Sequence, residues 1–141
     1  MLSVGVRKTF DAAHRLQNHS GKCCNIHGHT YAVEVMVQSL SENGEIEGGV
    51  VIDFYDFKKA LDAVLSDWDH SIILEKSDKL LRLLMDSGLG VCIITMENEP
   101  TVEHMAQHLV KKLKVVCEDN LLGIVSLRVY ESPDCWAEVS F

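Results

Sequence analysis

The sequence predicts an α+β fold. Two stretches, Ser3 to Ala12 and Thr30 to Ser39, alternate apolar and polar residues with the period of a half-buried strand. Two others, around Phe57 and around Leu109, space apolar residues three and four apart, as a helix does when it lays one face on a sheet. A pair of strand-like runs around a turn closes the chain.

The 141 residues fit one domain, 1–141, with a real core. No apolar run approaches the roughly 18 residues of a membrane helix, and the first residues lack the basic and apolar regions of a signal peptide. Five cysteines, an odd number in no regular framework, suit a reducing compartment, so a cytoplasmic protein is expected. A net charge of −8 argues against nucleic acid as a general partner. That charge is uneven: residues 1–31 carry +3 and residues 32–141 carry −11. The basic stretch either steers a small anionic substrate or is a chance cluster on a solvated surface.

In chain order, the first strand places Val4, Val6, Phe10 and Ala12 on one face, interrupted by Lys8, and runs into His14. Arg15 to Asn25 is polar and reads as a loop that folds back. In the second strand Tyr31, Val33, Val35 and Val37 share the parity of His27 and His29. Ser41-Glu42-Asn43-Gly44 reads as a turn, Val50-Val51-Ile52 as a short strand and Asp53 as a helix N-cap. Phe54, Phe57, Leu61, Val64 and Trp68 are the helix's core stripe, and Asp69-His70 ends it.

Ser77 to Ser87 reads as another helix, stopped by Gly88 and Gly90. Val91 to Met96 reads as a buried strand in which Cys92 is a small core residue. A third helix begins at Pro100-Thr101, with Thr101 as cap, Glu103 in its first turn and Val102, Met105, Ala106, Leu109, Val110 and Leu113 inward. His104 and His108, one turn apart with no third ligand near in sequence, read as surface residues. Ile124 to Tyr130 and Cys135 to Phe141 form a hairpin with Glu131 at its tip.

The chemistry concentrates in Cys23-Cys24-Asn25-Ile26-His27-Gly28-His29. On a strand, His27 and His29 leave one face and can share a metal ion, and Gly28 between them lets a ligand come close. A His-x-His pair alone is common, but a loop that folds back brings His14 beside it. Three imidazoles on zinc leave the fourth tetrahedral position open, as catalytic sites do. Asp69-His70 is a candidate acid–base pair because a neighbouring carboxylate orients an imidazole; it is also an ordinary polar helix end.

Taken in order, Phe10-Asp11-Ala12-Ala13-His14-Arg15-Leu16, Cys23-x3-His27-Gly28-His29, Val51-Ile52-Asp53-Phe54, Asp69-His70, Pro100-Thr101-Val102-Glu103 and Glu131 resemble the 6-pyruvoyl tetrahydropterin and 6-carboxytetrahydropterin synthase family. The resemblance implies a T-fold: a four-stranded antiparallel sheet with two main helices on one face. It implies trimers closing into a barrel and pairing as a homohexamer. It further implies 7,8-dihydroneopterin triphosphate as substrate and Zn2+ held by His14, His27 and His29. Cys23 is then a thiolate base, His70 oriented by Asp69 exchanges a second proton, and Glu131 anchors the pterin with Thr101 and Glu103 nearby.

A cysteine four residues before His-Gly-His resembles the bacterial and archaeal branch that forms 6-carboxy-5,6,7,8-tetrahydropterin for deazapurine tRNA modification (queuosine and archaeosine biosynthesis). The sequence departs from the family at Lys8, where an aromatic is usual, at Glu99, where Asn is common, and over Ser71 to Asn98, which is longer than in compact members. Alternatives are the 6-pyruvoyl product, a non-catalytic pterin- or zinc-binding homologue, and a zinc hydrolase. Neither binding alone nor zinc hydrolysis requires the thiol.

Overall fold

The computed structural model describes residues 2–40, 47–118 and 122–141. Strands β1 (Val4–His14), β2 (His27–Ser39), β3 (Ser71–Glu75), β4 (Ile93–Met96), β5 (Leu122–Ser132) and β6 (Cys135–Ser140) form one sheet in the order β4-β3-β1-β2-β5-β6. Three α-helices are present, α1 (Phe54–Leu65), α2 (Lys79–Asp86) and α3 (Val102–Glu118). The turn expected at Ser41 to Gly44 lies outside the described residues.

The four long alternating strands behave as their pattern demands. Strands β1, β2, β5 and β6 pair antiparallel, and their core face carries Val6, Phe10, Tyr31, Val33, Val35, Leu127 and Val129. Helices α1 and α3 cover that face with Phe57, Leu61 and Leu65 and with Met105, Ala106, Leu109 and Leu113. Asp53 caps α1, its carboxylate accepting the Tyr55 N–H at 2.7 Å. Trp68, fully buried just beyond α1, closes the core by an edge contact to Phe10.

The expected sheet of four antiparallel strands is corrected to a mixed sheet of six. Strand β3 runs parallel to both β1 and β4, and α2 crosses between β3 and β4. The missed strand, Ser-Ile-Ile-Leu-Glu, is covered on both faces, so it reads as a brief apolar run without alternation. Helix α2 contributes no buried residue, and Leu83 and Met85 on it are exposed. Gly88, at φ 71, stops it in the left-handed conformation that favours glycine.

Val50 to Ile52 is a bend, not a strand; Val51 and Ile52 pack on the core margin. Phe54 is exposed and Val64 only partly buried, whereas Leu65, outside the expected stripe, is buried. Cys92 is exposed because it precedes β4, which begins at Ile93. Glu131 lies within β5, and the hairpin turn falls at Pro133-Asp134. Strand β3 reaches only Ala12 to His14 of β1, so the outer edge of β1 from Val4 to Asp11 has no partner strand among the described residues.

Candidate active site

The antiparallel register explains how three histidines meet. His14, the last residue of β1, lies directly opposite His27, the first of β2, and His29 lies opposite the small Ala12. All three leave the core face, and their ligand nitrogens lie within 4.8 Å of one another. Two of the rings are oriented from behind by carbonyls. Nδ1 of His14 donates to the Pro100 carbonyl and Nδ1 of His27 to the Asn25 carbonyl, each at 2.8 Å. A carbonyl only accepts, so the proton of each neutral ring is fixed on Nδ1 and both Nε2 atoms present lone pairs.

Those two lone pairs face each other at 3.0 Å. Between neutral rings this contact is repulsive, and a cation between them relieves it. The third ring adds an independent sign, because Nε2 of His29 is buried without a hydrogen-bond partner among the described residues. Burial lowers the pKa of His14 and of His29, which keeps both rings in the neutral form that a metal requires. The residues therefore fit a metal ion with imidazole ligands and an open side.

A second constellation sits at the edge of β1. His70 adopts φ 60, the single described non-glycine residue with positive φ. Its backbone N–H donates to the Asp11 carbonyl at 2.6 Å, and its Nδ1 donates to Asp69 at 2.8 Å. Asp69 in turn accepts the Asp11 N–H at 2.8 Å. That hydrogen bond first, and the His70 contact second, hold the Asp69 carboxyl below its ordinary pKa. A strained backbone over-determined in this way is characteristic of functional positions. His70 and His29 line one open cleft of about 420 Å³, together with Asp11, Gly28 and Thr30.

The 6-pyruvoyl tetrahydropterin synthase family model matches residues 3–140. The chain belongs to this family. A 6-carboxy-5,6,7,8-tetrahydropterin synthase of Rickettsia conorii is 35% identical over 99% of this chain and 100% of its own length. The Haemophilus influenzae protein of the same name is 32% identical over 98% of both. Among solved structures, an uncharacterized protein of Wolinella succinogenes aligns with TM-score 0.74 and 23% identity over 99% of both chains. The 6-pyruvoyl tetrahydropterin synthase of Plasmodium falciparum aligns at 0.69 and 21% identity, over 98% of this chain and 96% of that one. The α+β fold with its curled mixed sheet is that of these structures.

Within this synthase-family fold the remaining candidate residues are placed unevenly. Glu131 shares the core-face parity of Val129 and lies 3.6 Å from His29 Nε2. Cys23 is half-buried in the short turn Lys22–Cys24, its carbonyl accepting the Leu16 N–H at 2.9 Å. Thr101 caps α3, accepting the His104 N–H at 3.3 Å, and Glu103 is exposed on its first turn. No hydrogen bond or ion pair joins either of them to Glu131 among the described residues.

His104 and His108 are half-buried, correcting their reading as surface residues. His104 donates from Nδ1 to the Glu99 carbonyl at 2.9 Å, and the His108 ring packs on Trp68. Sequence reasoning missed Pro100 and Asn25, which act through carbonyls that any residue type provides, and Asp11, which clamps His70 through its backbone. Of the basic residues near the histidines, Lys8 pairs with Asp62, Arg15 with Asp78, and Arg7 lies over Tyr130. The Lys22 side chain alone of the four makes no ion pair, hydrogen bond or ring contact among the described residues.

Proposed function

We propose that the chain is a single-domain, zinc-dependent carbon–oxygen lyase of pterin metabolism. In this reading 7,8-dihydroneopterin triphosphate takes up water and gives 6-carboxy-5,6,7,8-tetrahydropterin, acetaldehyde and triphosphate. The observation that carries it is the pair of imidazoles fixed lone pair to lone pair, beside the orphaned His29, in a chain that is 35% and 32% identical to two proteins named for the carboxy product. His14, His27 and His29 would hold the zinc. When bound, zinc polarises substrate oxygens and acidifies the neighbouring C–H groups.

The chain's own residues then move protons and orient the ring. Cys23, as thiolate, removes a proton from the side chain of the substrate. His70, with Nδ1 held by Asp69, exchanges a second proton at its free Nε2. Glu131 accepts hydrogen bonds from the amino group and ring N–H of the pterin, a charge-assisted pair that fixes its orientation. Thr101 and Glu103 belong to the same substrate surface in this reading. The edges without a partner strand among the described residues, Val4 to Phe10 of β1 and the outer side of β6, support assembly into a barrel and a homohexamer, and five free cysteines suit a reducing compartment such as the cytoplasm.

Incubating purified protein with 7,8-dihydroneopterin triphosphate and identifying the products by mass tests the proposal. 6-Carboxytetrahydropterin with acetaldehyde is expected. The 6-pyruvoyl product would move the chain to the other branch, and pterin binding without turnover would make it a binding homologue.

A further inference from the structure

The longer segment between Asp69-His70 and Pro100 does not merely extend the sheet; it grips the loop between His14 and His27. Arg15, directly after His14, donates from Nε to Oδ2 of Asp78 at 2.8 Å and from Nη2 to Oδ1. The Asp78 side chain is 1% exposed and also accepts the Leu80 N–H at 2.8 Å as the cap of α2. Burial works against this carboxylate, yet Arg15 and the Leu80 N–H hold its pKa below the ordinary value.

Two more contacts run the same way. Gln17 donates to Glu75 at 2.8 Å and to Ser77 at 2.9 Å, and the Asn18 N–H donates to Glu99 at 2.8 Å. Leu16 lies between these anchored residues, and its N–H is the donor to the Cys23 carbonyl. A buried ion pair adds little net stability against an apolar substitute, but a bidentate guanidinium–carboxylate fork specifies geometry.

We propose that Asp78 is a positioning residue which, through Arg15 and Leu16, fixes the turn that presents Cys23. The β3–α2–β4 unit is on this account a brace for the reactive loop. The inference rests on the reading of Cys23 as the base, and a displacement on the scale of 1 Å at such a group costs roughly 100-fold in rate.

The test is Asp78→Asn in the zinc-loaded protein. The amide keeps the cap acceptor and removes the charge. Zinc content should stay near wild type, the melting temperature should drop because Arg15 loses its partner while the protein stays folded at the assay temperature, KM should change by less than about twofold and kcat should fall at least about tenfold. Alkylation of Cys23 by iodoacetamide, followed by peptide mass mapping, should accelerate at least about threefold as the half-buried thiol loosens, with the remote Cys135 unchanged.

Should Asp78→Asn not fold, Gln17→Ala leaves the ion pair intact and must show the same split, smaller but above about twofold in kcat. Wild-type kcat with wild-type Cys23 alkylation in the folded variant overturns the proposal. A kcat loss matched by loss of zinc also overturns it, since that is a structural effect. A Cys23→Ala protein that still turns over would remove Cys23 as base, while the alkylation measurement continues to judge the brace by itself.

Discussion

The imidazole triad and the Asp69–His70 pair are two histidine sites built in opposite ways. His14 is 1% exposed, sits on the core face and is oriented by a backbone carbonyl. The His70 side chain is 79% exposed, projects from the sheet edge and is oriented by a carboxylate. Burial favours neutral imidazole, which binds metal; the carboxylate beside His70 orients its ring through Nδ1 and leaves Nε2 toward the cleft side. In the proposed function the same residue type serves as ligand in one setting and in acid–base work in the other.

The strongest way to break this contrast is to delete ligands. A His27→Ala, His29→Ala double mutant should fall from about one zinc per chain to none in elemental analysis, with turnover abolished. Unchanged stoichiometry would remove the triad as the metal site. His70→Ala should instead keep its zinc and lose turnover by roughly 100-fold or more, the scale of a missing general acid or base. Steady-state kinetics and zinc content measured together decide it: metal loss in His70→Ala would merge the two sites into one.

Glu131 sharpens the comparison because its carboxylate lies beside the triad at 3.6 Å from His29. If it reads the pterin, Glu131→Gln should weaken pterin binding by about 2 kcal/mol, or roughly 30-fold, while zinc remains. A titration that finds affinity within about twofold of wild type would confine Glu131 to the histidines.

The smallest effect concerns pH. His14 and His29 have lowered pKa values in the folded chain, so the unfolded chain binds more protons between those values and the ordinary 6.5. Stability of the metal-stripped protein therefore rises with pH through that window and is lost as pH falls below about 6.5. Melting of the stripped protein should drop by a few degrees, on the order of 5 °C, between about pH 7 and pH 5. A flat profile would mean that the two rings titrate alike in the folded and the unfolded chain.

Much of this arrangement was legible in the residues. Alternation along Val4 to Ala12 and Tyr31 to Val37, and the helical stripes of Phe57-Leu61 and Met105-Leu109-Leu113, are periodic patterns that burial on one face imposes on sequence. The parity of His27 and His29 followed from that alternation, and a loop between two strands that pair was enough to bring His14 to them. Each of these is a short-range consequence of side-chain direction.

Tertiary structure alone decided the rest. Ser71 to Glu75 is a strand because β1 and β4 flank it, and a strand covered on both faces carries no period to read. The tautomers of His14 and His27 depend on carbonyls of Pro100 and Asn25, and His70 is held by the backbone of Asp11. Every residue type offers a carbonyl and nearly every type an amide N–H, so no composition or spacing marks which ones will be used. Arg15 and Asp78 are 63 positions apart, and only the folded chain shows which of the acidic residues answers that guanidinium.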